Sequence, residues 1–273
     1  MTRTTQAVIL ARGLGARMRR AEAAVALDAE QERAAAAGLK GMMPTLGRPF
    51  LDFVISSLAD AGITDVTLVV APDHAMMRGY YEREAPPQRV RMHWAVQAEP
   101  RGTADAVHAA EGVVRDAPFL VLNSDNYYPV ASTGALCALH GPGLVAFESE
   151  ALVRESNIER ERVRGYALLD IDEAGCLRAI VEKPSRDHPL AQRAEHWVSM
   201  NLWSFTPAIF EACCRVQPSV RGELELQDAV MIAIEELSES FHVVRAHSGV
   251  LDMSQRADIA SVADRLRDVV VQP

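Results

Sequence analysis

Apolar and polar residues along the first half of the chain fall into blocks that predict strands and helices in turn. Gln6–Leu10 is a short apolar run with β-branched residues that ends at a glycine-containing loop, which is typical of a buried strand. Residues 49–61 carry large apolar side chains at helical spacing, and Gly62 ends that helix before the apolar strand 66–70. The chain therefore begins with a strand, a loop, a helix and a second strand.

The same alternation continues to residue 123. We expect helices at 75–83 and 103–115, and strands at 90–96 and 119–123. Such alternation favours parallel strands, because a parallel pair is joined by a crossover that usually contains a helix.

Strand-like runs dominate after Gly143, which predicts that the sheet becomes mixed there. The strands expected in this part are 144–147, 166–171, 177–181, 197–205 and 241–245. The helices expected are 207–216, 227–237 and a last one from 257 to about 269.

No shift in composition, linker or internal repeat divides the 273 residues. We therefore predict a single α/β domain, residues 1–273, on a Rossmann-like, doubly wound, mixed and mainly parallel sheet. Residues 19–38 are rich in strong helix formers and close with Gly38, so we interpret them as a helical insertion. We hypothesise that this insertion forms a lid over a bound ligand.

Composition and charge exclude several classes of partner. A formal charge of −9 opposes binding to nucleic acid or to an anionic membrane, whose phosphates require basic patches. The first residues lack the pattern of a signal peptide, and no run has the length of a membrane span, so we expect a cytoplasmic protein. The four cysteines lack metal-ligand spacing, and the oligomeric state is left open.

Lysine is almost absent from this chain. Of the 28 basic residues only Lys40 and Lys183 are lysines. A chain that has replaced lysine wherever arginine serves equally well keeps it where a compact ammonium is needed, and a phosphate site is such a place. Random survival under a composition bias is the alternative, and it predicts lysines outside recognisable motifs.

Two kinds of ligand group follow the ends of predicted strands. The loop after the first strand contains Gly13, Gly15 and Arg17, whose backbone N–H groups and guanidinium suit phosphate oxygens. Asp125 follows the strand at 119–123, and Asp252 follows a later apolar run. Ligands bind at the carboxyl ends of strands in open α/β sheets, where carboxylates can hold a divalent cation. A tight turn and simple helix caps are the structural alternatives.

In their order and spacing, these segments resemble the sugar-phosphate nucleotidyltransferases, the sugar-nucleotide pyrophosphorylases. Glucose-1-phosphate thymidylyltransferases and N-acetylglucosamine-1-phosphate uridylyltransferases have the most similar motifs. The resemblance spans nearly the whole chain, through LARGLGARM, GLKGMMPTLGRPFLD, QAEPRGTADA, LNSDN, IVEKP and the segment around Asp252. It implies a nucleotidyltransferase fold of the GT-A-like kind. Two positions depart from the family pattern, since Arg12 replaces a frequent Gly and Ala16 replaces a Thr.

The resemblance assigns each motif a role. It implies nucleotide-binding roles for Ala11, Gly13, Gly15, Gln97, Gly102 and Thr103. It implies sugar-phosphate-binding roles for Asn126, Gly165, Glu182 and Asn201, and catalytic roles for Arg17, Lys40 and Lys183. Asp125 and Asp252 would bind Mg²⁺. The role of Lys40 depends on reading residues 19–38 as an insertion, because in the family this lysine follows the loop arginine closely.

The implied reaction joins a nucleoside triphosphate to a sugar 1-phosphate and releases pyrophosphate. The attacking phosphate oxygen is already anionic, so the site must supply alignment and charge neutralisation rather than a general base. A Gln amide both donates and accepts hydrogen bonds and could read uracil or thymine, so a pyrimidine nucleotide is favoured.

Other functions fit parts of the sequence. The same chemistry on a cyclitol phosphate, on a compound like phosphocholine or on another polyol phosphate is one alternative, and a non-catalytic regulator that binds sugar nucleotides is another. An NAD-dependent oxidoreductase is disfavoured, because the first loop lacks the third glycine of the dinucleotide fingerprint. The arginine-rich run 153–166 is interpreted as a solvated loop or helix face, with a lid over the sugar site as the alternative.

Overall fold

The computed structural model describes residues 3–13, 15–20, 26–114, 116–182, 184–185 and 187–273. Within these ranges the strands are β1 Gln6–Leu10, β2 Pro44–Thr45, β3 Arg48–Pro49, β4 Asp65–Val70, β5 Arg91–Val96, β6 Phe119–Asn123, β7 Asn126–Tyr127, β8 Gly143–Glu148, β9 Leu168–Ile171, β10 Leu177–Val181, β11 Trp197–Phe205, β12 His242–Ala246 and β13 Leu251–Asp252. The α-helices are α1 Ala16–Arg19, α2 Ala29–Ala37, α3 Phe50–Asp60, α4 Ala75–Gly79, α5 Thr103–His108, α6 Val130–Cys137, α7 Ser149–Glu155, α8 Arg160–Val163, α9 Ala208–Arg215, α10 Leu226–Glu235 and α11 Asp258–Leu266.

A nine-stranded mixed sheet organises the described residues. Its main path is β10-β9-β11-β6-β1-β4-β5, and β8 joins β11 to β12. The strands β6, β1, β4 and β5 are parallel, whereas β11 is antiparallel to β6, β8 and β9. The predicted single-domain α/β fold, with a parallel first half and antiparallel strands later, is confirmed.

Strand β1 lies in the middle of this sheet, and both of its faces are buried. Ala7 and Ile9 belong to one hydrophobic core, and Val8, between them, belongs to the other. Because alternate residues of a strand point to opposite faces, a fully buried strand is apolar at every position. Helices α3 and α11 contribute to the first core, and α5, α9 and α10 to the second.

Several predicted helices differ from the observed ones. Helix α4 ends at Gly79 and continues as a π-helical turn, Tyr80–Glu84, and the predicted helix 103–115 ends at His108, followed by turns. The glycine-containing loop predicted after β1 contains the short helix α1, and helices α6 and α7 were not predicted.

The insertion forms a helix in its second half. Helix α2 begins after Asp28, whose side chain accepts hydrogen bonds from the N–H groups of Glu30 and Gln31, and it ends at Gly38 in the left-handed conformation. Residues 21–25 lie outside the described residues. Ala34 and Ala35 pack into the core beneath this helix. The role of 19–38 as a lid stays a prediction.

The order of the strands determines where a ligand can bind. The chain leaves β1 to form β4 on one side, and later returns to form β6 on the other. The connections after β1 and β6 therefore diverge, and the crevice at such a divergence is where open α/β sheets bind ligands. No helix in the described part of the chain is long and apolar enough to cross a membrane.

Candidate active site

A cleft of about 450 Å³ opens at the carboxyl ends of β1 and β6. It is lined by all six residues that the sequence assigned to the nucleotide, together with Lys40 and Asp125: Ala11, Gly13, Gly15, Lys40, Gln97, Gly102, Thr103 and Asp125. These residues come from four separate segments between 11 and 125. The fold brings them to the point where the strand order diverges, as expected for a ligand site.

The glycine loop after β1 packs directly on the end of the insertion. Gly15 has a φ of +58°, and a Cβ at this position would lie 2.4 Å from the carbonyl oxygen of Gly38. Only glycine fits such a contact between two backbones. At Gly13 no atom of the described residues lies within 4 Å of the place where a Cβ would be, and this residue lines the cleft.

Arg12 stands where the family commonly has glycine, and it ties this loop to the segment after β5. Its Nε donates to the Gln97 carbonyl oxygen at 2.8 Å, and its Nη2 donates to the Ala98 carbonyl oxygen at 3.2 Å. The departure at this position therefore adds a bridge across the cleft and leaves the cavity open.

Lys40 begins the short 3₁₀ turn Lys40–Met42 and reaches the carboxylate that follows β6. Its Nζ lies 2.6 Å from Asp125 Oδ2, and both side chains are largely buried. The next residue, Gly41, packs on Ser124, where a Cβ would lie 3.3 Å from the Ser124 Cβ and carbonyl oxygen. The turn after the insertion is thus held against the end of β6, with the lysine facing the cleft.

Asp252 lies beside Asp125 although the two are far apart in sequence. Strand β13 pairs with β7 so that Asp252 is opposite Asn126, and the Met253 N–H donates to the Asp125 carbonyl oxygen at 2.8 Å. Burial, and then the charge of Asp125, raises the pKa of Asp252 to about 6, although Ser254 and Arg162 act to lower it.

Arg162 is a residue of this site that the sequence did not single out. Its guanidinium is ion-paired with Asp252 and, at 2.9 Å, with Asp258. The run 153–166 was interpreted as a solvated loop or helix face, and Arg162 departs from that interpretation because helix α8 turns it toward Asp252. The sequence does not distinguish Arg162 from the neighbouring arginines Arg160 and Arg164, which pair with exposed glutamates at the surface.

Gln97 is buried at the start of the connection after β5. Its Nε2 donates to the Gly102 carbonyl oxygen at 3.0 Å and to Asp105 Oδ2 at 2.8 Å. Thr103 has a structural role, because its Oγ1 accepts from the Leu226 N–H at 2.9 Å and so caps helix α10. The predicted helix start near Gln227 is thereby confirmed, with a cap supplied by another segment.

A smaller cavity of about 180 Å³ adjoins the cleft and shares Asn123, Thr103 and Glu223 with it. Asn201 lines this cavity, and its φ of +58° places it in a conformation that non-glycine residues rarely adopt. The irregularity that produces it lies in β11, where pairing with β8 shifts register between Ser199 and Trp203. Strained backbone of this kind is common at ligand sites.

The other residues assigned to the sugar phosphate do not line either cavity. Asn126 is buried and donates to Asp252 Oδ1 at 3.3 Å, so it helps to hold the Asp252 carboxylate in place. Gly165 and Glu182 are exposed and outside both cavities. Next to Gly165, however, Tyr166 lies near Asp252, where burial and that charge raise the pKa of its hydroxyl.

Two further residues, Arg17 and Lys183, were predicted to be catalytic. Arg17 is exposed on α1 and does not line the cleft. Lys183 lies outside the described residues.

The carboxylates have the chemistry of a Mg²⁺ site. Asp125 and Asp252 offer oxygen ligands, and burial followed by the charge of Asp125 raises the pKa of Asp252, which the positive charge of a bound divalent cation would counteract. No group of three or more His, Cys, Asp or Glu residues suited to a metal occurs in the described ranges.

Comparisons with known proteins find relatives that match most of the chain. The sequence model of a family described as nucleotidyl transferase matches residues 35–267. The UTP–glucose-1-phosphate uridylyltransferase AglF of Haloferax volcanii is 26% identical over 267 residues, which cover 98% of each chain. A glucose-1-phosphate thymidylyltransferase of Neisseria meningitidis is 24% identical and covers 84% of this chain and 76% of its own.

Solved structures show the same fold. A UDP-glucose pyrophosphorylase complexed with UDP-glucose superposes with a TM-score of 0.74 at 15% identity, over 97% of this chain and 98% of its own. A UTP-bound UGPase from Acinetobacter baumannii gives a TM-score of 0.73 at 16% identity, over 98% and 96%.

Proposed function

This chain belongs to the nucleotidyl transferase family, and from that membership we propose that it transfers a pyrimidine nucleoside monophosphate from a nucleoside triphosphate to a sugar 1-phosphate. One observation carries the proposal: the glycine loop, Lys40, Gln97 and the carboxylate of Asp125 line a single cleft where the strand order diverges. Relatives of this sequence act on glucose 1-phosphate, which supports the general chemistry and leaves the individual sugar as the finer part of the proposal.

In the proposed reaction a phosphate oxygen of the sugar 1-phosphate attacks the α-phosphorus of the nucleotide. The bond between the α-phosphorus and its bridging oxygen to the β-phosphorus breaks, and pyrophosphate leaves with that electron pair. Because the nucleophile is already an anion, no side chain needs to remove a proton. The enzyme accelerates such a step mainly by alignment and by neutralising negative charge.

Different residues of the cleft would align the substrates and neutralise their negative charge. Backbone N–H groups of the loop at Gly13 and Gly15 would hold the triphosphate, and the Lys40 ammonium would neutralise a phosphate group that binds beside Asp125. Asp125 and Asp252 would hold Mg²⁺, which supplies positive charge for the phosphate oxygens when it is bound. Arg17 and Lys183 would add cations on the pyrophosphate side and the sugar-phosphate side respectively.

The acceptor would enter through the smaller adjoining cavity. Asn123 lines both cavities and Asn201 the smaller one, where their amides could bind sugar hydroxyl groups. We propose that residues 1–273 act as one nucleotidyltransferase domain, and that residues 19–38 cover the phosphates, since Gly38 packs on the glycine loop.

Pyrophosphate release tests the proposed function. The purified chain is incubated with Mg²⁺ and each of five nucleoside triphosphates, crossed with common sugar 1-phosphates and with polyol and choline phosphates. We expect release that requires both substrates, with a pyrimidine nucleotide and a sugar 1-phosphate. Release with a non-sugar phosphate alone would change the acceptor class. Nucleotide binding without release in any combination would identify a non-catalytic binding protein and reject the proposal.

A further inference from the structure

The side-chain amide of Gln97 is held in one orientation by two hydrogen bonds from the same nitrogen. Nε2 donates to the Gly102 carbonyl oxygen at 3.0 Å and to Asp105 Oδ2 at 2.8 Å. A carbonyl oxygen and an ionised carboxylate only accept hydrogen bonds, so the amide oxygen cannot take this place without repulsion from both. The chemistry of the partners therefore fixes which end of the amide is which.

This orientation leaves the two ends of the amide unequal. Both N–H groups of Nε2 are used, and no donor among the described residues reaches Oε1. Gln97 is 4% exposed and lines the nucleotide cleft. Its Oε1 is therefore the atom of the amide that can still form a hydrogen bond with a ligand, as an acceptor. The sequence-based expectation that this glutamine offers the base both a donor and an acceptor needs correction, because both N–H groups already donate to Gly102 and Asp105.

Asp105 is the adjustable partner in this arrangement. The Gly102 carbonyl belongs to the backbone, whereas Asp105 is a side chain in the first turn of α5, with Arg101 Nη1 3.8 Å from its other oxygen. With Asp105 removed, one N–H of Gln97 would lose its acceptor, and the amide could rotate to present a donor to the cleft.

We propose that Asp105 is a positioning residue that fixes Gln97 with its oxygen toward the nucleobase, so that the site takes uracil or thymine and rejects cytosine. The inference rests on the proposed pyrimidine nucleotidyltransferase function and deepens it. Uracil and thymine carry a hydrogen on ring nitrogen N3, which donates to Gln97 Oε1. Cytosine has a lone pair at N3, which would face the amide oxygen and repel it.

The test compares nucleotides within each variant, so that a change in the folded fraction cancels. For wild type, Asp105→Leu and Asp105→Asn we would measure kcat/KM for UTP, dTTP and CTP with the preferred acceptor. An unpaired buried hydrogen-bonding group costs enough to predict a UTP to CTP preference of about 100-fold in the wild type. Asp105→Leu should lower this preference about tenfold or more. Asp105→Asn keeps an acceptor oxygen and should retain it.

A purely structural Asp105 predicts a different result. Its place in the first turn of α5 means that Asp105→Leu can lower thermal stability and overall rate without changing base preference. An unchanged UTP to CTP ratio in Asp105→Leu, or a wild type that prefers CTP, overturns the inference. Should Asp105→Leu not fold, 3-methyl-UTP, which lacks the N3 hydrogen, tests the wild type directly: turnover equal to that of UTP overturns the inference.

Calorimetric titration with UTP and CTP separates this inference from the proposed function. Selective binding of UTP that weakens in Asp105→Leu, without pyrophosphate release, supports the role of Asp105 and rejects the transferase proposal. Turnover with equal binding of UTP and CTP rejects the role of Asp105 alone. Failure to bind either nucleotide overturns both.

Discussion

The Lys40 ammonium lies 2.6 Å from Asp125 Oδ2, which joins the turn after the insertion to the carboxylate that follows β6. The lysine assigned to phosphate thus contacts the carboxylate assigned to the metal, at the end of the cleft formed by β1 and β6. Asp252 has a corresponding partner in Arg162. Each carboxylate of the site is therefore paired with a cationic side chain. In the proposed reaction Mg²⁺ would bind the carboxylates, and phosphate groups would bind the Lys40 ammonium.

Removal of the Lys40 ammonium should mainly impair turnover. Lys40→Ala should lower kcat/KM about 10²- to 10³-fold, as the loss of one preorganised charge contact commonly does. Lys40→Arg is the matched control and should recover only part of the activity, because a planar guanidinium does not replace a compact ammonium. The measurement is pyrophosphate release, with circular dichroism to confirm folding. Activity of Lys40→Ala within a few-fold of wild type would contradict its role on phosphate.

Asp125→Asn should change the response to metal. We expect the Mg²⁺ concentration at half-maximal rate to rise by more than about tenfold, since loss even of an outer-shell partner commonly costs that much. The measurement is a Mg²⁺ titration of pyrophosphate release for wild type and variant. A titration curve that coincides with the wild-type curve would remove Asp125 from the metal site.

Lys183 was assigned from the sequence alone, and its side chain can be tested directly. Lys183→Ala should lower turnover about 10²- to 10³-fold, because it removes the cation that we propose binds the sugar phosphate and the α-phosphate. The thermal midpoint should stay unchanged, which a melting curve would check. A variant that keeps nearly full activity would refute the assignment.

Arg256 connects the insertion to the body of the protein. Its Nε donates to the Met18 carbonyl oxygen at 3.0 Å, and its Nη1 contacts Glu32 at 2.7 Å, while the side chain is only 6% exposed. Arg256→Ala should lower the free energy of unfolding by about 1–3 kcal/mol, because a buried carbonyl loses its donor. Urea denaturation would measure this. Arg265→Ala, which removes an exposed hydrogen bond to the Glu155 carbonyl, is the control and should cost less than about 0.5 kcal/mol.

Acid should destabilise the fold partly through Asp65, at the start of β4. Its hydrogen bonds from Arg91 and His93 outweigh burial and hold the pKa of this carboxyl well below its usual range. The unfolded chain therefore binds the proton more tightly, and the stabilisation present above about pH 4 is lost as pH falls toward the folded pKa. Arg91→Gln should lower the free energy of unfolding at pH 7 by a small amount, because Arg91 is exposed and water screens its interaction with Asp65.

The control for this prediction is the same comparison of Arg91→Gln with wild type at low pH, where the Asp65 charge contributes less. Denaturation of Arg91→Gln and wild type at pH 7 and at pH 2.5 should show a smaller difference in acid. An equal difference at both pH values would mean that Arg91 stabilises the fold independently of the Asp65 charge. Catalytic turnover should be unaffected, because Asp65 lies at the opposite end of β4 from the cleft.

Much of the fold follows from local sequence. Four strands, β1, β6, β10 and β11, match their predicted limits. In β1 and β6 the buried part is an unbroken apolar run next to a polar residue or a turn, which marks where the strand ends. The boundaries of α4 and α5 were predicted less well, since those helices end where packing and a π-helical turn take over from helix propensity. The short helix α8 lies in the run 153–166, where the sequence left a loop and a helix face open because the charges indicate only an exposed surface.

The sequence by itself determined the alternation of strands and helices, the family, and the segments that line the cleft, because these depend on residue type and spacing along the chain. Only the tertiary structure decided which polar groups pair. It brought Arg162 onto Asp252, made Asp105 the acceptor for the Gln97 amide, and set Asn157 against both the N–H and the carbonyl of Asp252. These partners are 8 to 95 residues apart, and a hydrogen bond depends on distances of about 3 Å that local pattern does not encode.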